Sequence, residues 1–254
     1  MNSYRYLFKN IGFLTISQFA SKILTFLLVP LYTSVLSTEE YGSFDLINTT
    51  VNLLVPIVTL NVYDAIIIYT LDKKYDDAQV ISVGLKYSFI GFILSLAIAG
   101  AIALTGLFSE VRQFWYLIPV MVLLNSLSSN LLCFARGLDK VKETAIAGVF
   151  GSVTLISSNI IFLLVMKIGL NGYFLAFILS LLVQIVYLSI VCGLKKYCRF
   201  HVDSSIEQRM VSYSRPLIAN SIGWWINNSS DRYVVTLMCG ISVNGIYSQI
   251  AITS

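Results

Sequence analysis

Three charged residues stand where this sequence should be pure hydrocarbon. Lys22 lies near the middle of the apolar run Ile11–Leu36, and Asp231 and Arg232 interrupt the run Tyr213–Gly240. At bilayer depth a lysine, arginine or aspartate costs roughly 2.5–3.5 kcal/mol on insertion scales. Such residues are kept where they face a protein interior or a water-filled path. The pattern therefore implies a charged cavity among membrane helices, as a transporter would use.

Spacing says which neighbours share that cavity. Thr15, Gln18, Lys22 and Thr25 recur at helical steps, which puts them on one face. Asn220, Asn227 and Asp231 form a second stripe, with Gly223 and Trp224 between them. A third stripe carries Asp45, Asn48, Asn52 and Thr59, on a helix that Pro56 is expected to kink. The cavity is thus assigned to Lys22, Gln18, Thr25, Asn52, Asn220, Asn227 and Asp231. The third and sixth apolar runs look nearly free of polar groups and are expected to face lipid or bulk packing.

Each charge also has a structural reading. Lys22 has Asp64 and Asp231 as alternative ion-pair partners, and about thirteen residues from either helix end is too deep for easy snorkelling. Asp231 and Arg232 lie about eight residues from a helix end, where snorkelling is feasible. Adjacent side chains diverge by about 100°, so only one of them faces the cavity squarely. Asp231 continues the polar stripe. Arg232 is expected to pair at the rim with Asp45 or Glu39. Asp64 reads either as an interfacial anchor or as a carboxylate for a coupling cation, H+ or Na+. Trp224 and Trp225 sit mid-helix, placed either to stack on sugar rings or to pack between helices.

Composition agrees with a membrane protein. Hydrophobic residues make up 57% of the 254, charged residues only 12%, and mean hydropathy is +0.79. The net charge of +4 reads as a basic cytoplasmic face, not as a nucleic-acid surface. His201 is the only histidine, which excludes zinc chemistry and a histidine-based triad. Cys133, Cys192, Cys198 and Cys239 show no metal or redox spacing, and no phosphate-binding GxxxxGK[ST] loop occurs. No catalytic residues, metal or cofactor are expected, so the chain does not read as an enzyme.

Hydropathy divides the chain into spans 11–36, 44–71, 83–107, 114–135, 145–166, 172–194 and 213–240, with another beginning near Asn244. Each complete span is about 20 residues or longer, enough to cross a hydrocarbon core of about 30 Å. Arg5, Lys9, Lys73, Lys74, Lys86, Arg136, Lys140, Lys142, Lys195, Lys196, Arg199, Arg209 and Arg215 fall on one side. Arg112 and Lys167 fall on the other, with Glu39, Glu40 and Glu110. The positive-inside rule then makes the N-terminus cytoplasmic. The connection Lys195–Met210 contains Ser205-x-x-Gln208, read as a capping box for a short interfacial helix.

The seventh span looks like a restart of the first. A shift of 203 positions brings Gly245 onto Gly42, Tyr247 onto Phe44, Thr236 onto Thr33, Ile226 onto Ile23 and Leu217 onto Leu14. Six helices per unit is even, so the units would share orientation as a parallel repeat. The fold expected is an all-α polytopic membrane protein. A six-helix transmembrane lobe (1–209) would be followed by the first helix, and the start of the next, of an incomplete second lobe (210–254).

The stretches Asn10–Ile47, Phe134–Gly148 (FARGLDKVKETAIAG) and Ser214–Ile250 resemble the polysaccharide flippases. These are the O-antigen and capsule exporters of the MOP superfamily. The most specific parts are the LSTEEYG turn, the RGLDKVKE loop and the SSDRY–NGIYS segment. The resemblance implies two lobes enclosing a cationic cavity, in the inner membrane. It also implies translocation of undecaprenyl-diphosphate-linked oligosaccharide from the cytoplasmic to the periplasmic leaflet for surface polysaccharide and lipopolysaccharide synthesis. In that setting Lys22 would bind the diphosphate, since a cation already desolvated binds phosphate strongly in low dielectric. Two rivals differ in visible ways. A cation-coupled multidrug exporter of the same superfamily should have an anionic, aromatic cavity, which Lys22 argues against. An integral-membrane glycosyltransferase or polymerase needs a sizeable periplasmic loop, and no outer connection is long enough.

Overall fold

A computed structural model describes residues 35–105, 112–197 and 202–253. Among these, every regular element is helical. In chain order they are α1 (Thr38–Val58), α2 (Val62–Leu71), α3 (Asp77–Thr105), α4 (Leu117–Gly137) and α5 (Val141–Asn159). Then come α6 (Leu170–Cys192), α7 (Ser204–Cys239) and α8 (Ile241–Thr253). The tail of α5 runs on as a π-helical segment, Ile160–Val165.

Four described helices are long and apolar enough to cross a membrane: α3, α4, α5 with its π segment, and α6. The bent pair α1–α2 passes the same test only when its two helices are taken together, which makes four to five candidate spans. The first expected span lies outside the described residues, apart from its last two. α7 has the length, at 36 residues, but its asparagines and charges keep it out of the apolar set. Much of the outer surface is hydrocarbon: Ile93, Val165 and Ile190 are 64–73% exposed. Such a surface is stable only against lipid or protein, so this is a multi-pass membrane protein.

Local chemistry explains the helix ends. Ser37 and Glu40 form a capping box at α1: the Glu40 N–H donates to Ser37 Oγ (3.2 Å) and the Ser37 N–H to Glu40 Oε2 (2.9 Å). Glu39 and Glu40 also complement the positive end of the helix dipole. The LSTEEYG turn is therefore a helix start. At α7 the box expected from Ser205 and Gln208 does not form. Asp203 is the cap instead, accepting the Ser205 N–H at 2.9 Å, and the helix runs unbroken into the seventh span. Among the described residues between α6 and α7, only a single 3-10 turn, Leu194–Lys196, precedes it.

The second span breaks where a kink at Pro56 was expected. Pro56 stays within α1, and the chain turns by 56° a few residues later. Leu60 and Asn61 are both left-handed there (φ 52° and 55°). Pro56 has no N–H for the Asn52 carbonyl, which weakens the last turn before the break. Thr59 Oγ donates back to the Val55 carbonyl (2.7 Å), closing the end of α1.

Polar side chains join the apolar helices. Asn130 Nδ2 on α4 donates to the Gly84 carbonyl (2.9 Å) and to Ser88 Oγ (2.8 Å) of α3. Ser126 shares a 2.6 Å bond with Ser88, and Ser128 donates to Gln184 Oε1 of α6. The third and sixth spans were expected to be nearly free of polar groups and to face lipid or bulk packing. They carry Ser88 and Gln184, whose bonds are made away from water, where few competitors exist.

The helices alternate between two ends. One end gathers the α2–α3, α4–α5 and α6–α7 connections, tied by Lys140 Nζ to the Val191 carbonyl (2.7 Å), the Asp203 N–H to Gln79 (2.9 Å) and the Lys86–Glu207 pair (2.7 Å). Lys73, Lys74, Arg136, Lys142, Lys195, Lys196 and Arg209 lie on the same connections and helix ends. The opposite end holds the start of α1 and the α7–α8 junction, joined by Thr38 Oγ and Ser242 Oγ at 2.6 Å.

Candidate functional site: a polar cavity beside α7

α7 lies along α1 through a ladder of polar contacts. Trp225 Nε1 donates to the Thr49 carbonyl (2.9 Å), and the Tyr233 hydroxyl shares a 2.5 Å bond with Thr50 Oγ. Toward the far end Arg232 pairs with Asp45. Asp45, only 7% exposed, also accepts from Ser248 Oγ (2.7 Å) and Asn244 Nδ2 (3.4 Å) of α8. Three donors around one carboxylate offset the cost of burying it.

Below this ladder the helices part. Asn52, Val55 and Pro56 of α1, Tyr63 of α2, Asn125 and Ser129 of α4, and Ser221 and Trp224 of α7 line a cavity of about 320 Å³. The bend between α1 and α2 turns Tyr63 toward α7. Trp224 forms a shared wall: on its other side Asn220, Gly223 and Asn227 line a shallower hollow of about 500 Å³. Its indole is 62% exposed. Amides, hydroxyls and an open aromatic face suit a polyhydroxylated ring, which needs many hydrogen bonds and one apolar platform.

The residues singled out in the sequence divide into groups. Asn52 reaches the cavity; Asn220 and Asn227 reach the neighbouring hollow. Asp231 lines neither: it accepts from the Tyr247 hydroxyl and from the Arg232 N–H. Asp45 and Arg232 meet each other. Asp64 starts α2, takes a 2.6 Å bond from Asn61 Nδ2, and has no cationic partner among the described residues. Lys22, Gln18, Thr25 and Thr15 lie outside the described residues. Asn125, Ser129, Tyr63 and Ser221 join the site only through the tertiary structure. For α4 a signal existed: Asn125–Asn130 packs two asparagines and three serines into an apolar span. No cluster of three or more His, Cys, Asp or Glu fit for a metal occurs among the described residues.

Long apolar helices around a polar internal space define the class: a multi-pass helical membrane protein. The chain belongs to the family described as "Polysaccharide biosynthesis protein", whose sequence model matches residues 7–253. Solved structures with a similar fold include a MATE protein in complex with MaL6, 16% identical with TM-score 0.61, which covers 96% of this chain and 63% of its own. Another is an outward-facing multidrug resistance MATE family transporter of the MOP superfamily, 17% identical with TM-score 0.52, covering 96% and 61%. This chain thus spans less than two thirds of the length of those proteins. No curated protein sequence matches it.

Proposed function

We propose that this chain is part of a flippase. Its substrate would be undecaprenyl-diphosphate-linked oligosaccharide, moved from the cytoplasmic to the periplasmic leaflet of the inner membrane during surface polysaccharide synthesis. The observation that carries this reading is the hydrogen-bonding cavity wall of Asn52, Tyr63, Asn125, Ser129 and Ser221 against the exposed Trp224 ring. Sugars match such a surface, whereas a cationic drug would be served by carboxylates, and none is among the described residues that line it.

The remaining roles follow from chemistry. The basic end of the bundle is cytoplasmic by the positive-inside rule, which puts the N-terminus there as well. Lys22 supplies charge to the diphosphate. Asp64, a carboxylate with no cation beside it among the described residues, is the candidate for a coupling H+ or Na+. The chain comprises one lobe and the beginning of a second. The contact of Asp45 with Ser248, 203 positions on, fits a repeat axis along the membrane normal. Transport proceeds as one lobe rocks against the other, opening and closing the seam of α1 with α7 and α8.

Deletion of the gene tests this reading. Lipid-linked oligosaccharide should accumulate in the cytoplasmic leaflet while surface polysaccharide falls, and expression of the gene should reverse both. Unchanged surface polysaccharide together with new drug sensitivity would favour the multidrug-export reading instead.

A further inference from the structure

A second pocket, unconnected with the central one by any shared lining residue, opens at the basic end. Tyr69 of α2 and the exposed Ser205, Gln208, Arg209, Ser212 and Tyr213 of α7 line an open groove of about 610 Å³. That volume lies within the roughly 300–1,000 Å³ of small-molecule sites. The five α7 residues fall on one helical stripe, so one rigid element carries nearly all the lining. The side chains of Ser205, Gln208, Arg209 and Ser212 make no hydrogen bond or ion pair with a described residue. None of these described lining residues is a carboxylate; Asp72 lies near Tyr69, and Glu207 next door is held by Lys86 and Tyr87. Tyr69 meets Tyr213 edge to face at 6.2 Å and is backed by Tyr75 at 4.9 Å. That contact holds the Tyr213 ring in place while leaving it 42% exposed.

A guanidinium without a partner among the described residues, two hydroxyls, an amide and a fixed aromatic ring together recognise one kind of ligand. The guanidinium takes a phosphate, the ring takes the apolar face of a pyranose, and the hydroxyls and amide take its OH groups. We propose that this pocket is a separate cytoplasm-facing site for a phosphorylated pyranose, with Arg209 on the phosphate and Tyr213 under the sugar. The side of the membrane and the biological source, the first sugar phosphate of a lipid-linked glycan, rest on the flippase reading above; the binding chemistry does not.

The probe is glucose 1-phosphate, titrated into the purified full chain in neutral detergent, with binding followed by calorimetry and saturation-transfer NMR. Saturable binding is expected, about tenfold tighter than inorganic phosphate or glucose alone. Arg209→Gln and Tyr213→Ala should each weaken it by about tenfold, and Arg209→Lys should weaken it less. Ser212→Trp, which fills the pocket from the same stripe, should abolish it and serves as a second variant if Arg209→Gln folds poorly. Absence of saturable binding, or wild-type affinity in Arg209→Gln or Ser212→Trp, overturns the proposal. So does equal affinity for phosphate and glucose 1-phosphate, which would mark a bare anion site. Complete displacement by phosphatidylglycerol would mark a phospholipid headgroup site and overturn it too. Binding with normal surface polysaccharide in the deletion strain would leave the pocket standing and remove the flippase reading; the converse result would do the opposite.

Discussion

Gly42 of α1 and Gly245 of α8 are packed backbone to backbone at the end of the bundle opposite the basic one, and the contact is reciprocal. A Cβ on Gly42 would overlap the Ile241 carbonyl and lie 3.0 Å from the Gly245 nitrogen. A Cβ on Gly245 would overlap the Thr38 carbonyl and lie 3.2 Å from the Gly42 nitrogen. Gly42 and Gly245 are the pair that the sequence repeat superimposes, and Thr38 and Ile241 are separated by the same interval. Residue contacts partner and partner contacts residue, as in a two-fold interface.

Any side chain at this contact must push the helices apart. Gly42→Ala and Gly245→Ala should each lower thermal stability, by on the order of 1–3 kcal/mol. Because the two glycines touch, the double variant should cost clearly less than the sum. Melting curves of the two single variants and the double variant decide this, and simple additivity would count against the contact.

The Asp45–Arg232 pair should respond asymmetrically. Arg232→Met leaves a buried carboxylate without its cation and is expected to cost about 3–5 kcal/mol. Adding Asp45→Asn should recover much of that loss, because the amide keeps polar contacts to Ser248 and Asn244 without a charge. Thermal melts and membrane abundance of the single and double variants check it.

Cysteine labelling tests the orientation. Glu39 and Lys74 are exposed at opposite ends of the bundle. In intact cells an impermeant maleimide should label Glu39→Cys and spare Lys74→Cys. The reverse pattern would invert the topology.

Two asparagines on α4 should separate function from stability. Under the proposed flippase function, Asn125→Leu, which adds apolar bulk to the cavity, should cut polysaccharide export severalfold at normal abundance. Asn130→Leu removes two bonds to α3, to the Gly84 carbonyl and to Ser88 Oγ, which should cost about 1–3 kcal/mol and lower abundance. Immunoblots of membranes beside export assays distinguish the two.

The adjacent tryptophans make a similar contrast. Trp225→Phe loses one hydrogen bond to the Thr49 carbonyl and should destabilise by about 1 kcal/mol. Trp224→Ala removes an exposed platform and should impair export with little change in melting temperature.

Much of this architecture was written in one dimension. The all-helical membrane class follows from apolar run length, because a bilayer leaves the backbone no alternative to internal hydrogen bonding. The family was legible in the LSTEEYG, RGLDKVKE and SSDRY–NGIYS segments. Tertiary structure decided which polar residues meet, because helical spacing defines a face without saying what it faces. Asn52 and Asp45 share a stripe, yet one lines the cavity and the other is buried beneath Arg232, Asn244 and Ser248. Trp224 and Trp225 are neighbours in sequence, but about 100° of helical rotation sends one to open space and the other to α1. The break at Leu60–Asn61 likewise needed the fold: Pro56 marks a weak turn, but packing around α1 and α2 sets where the chain gives way.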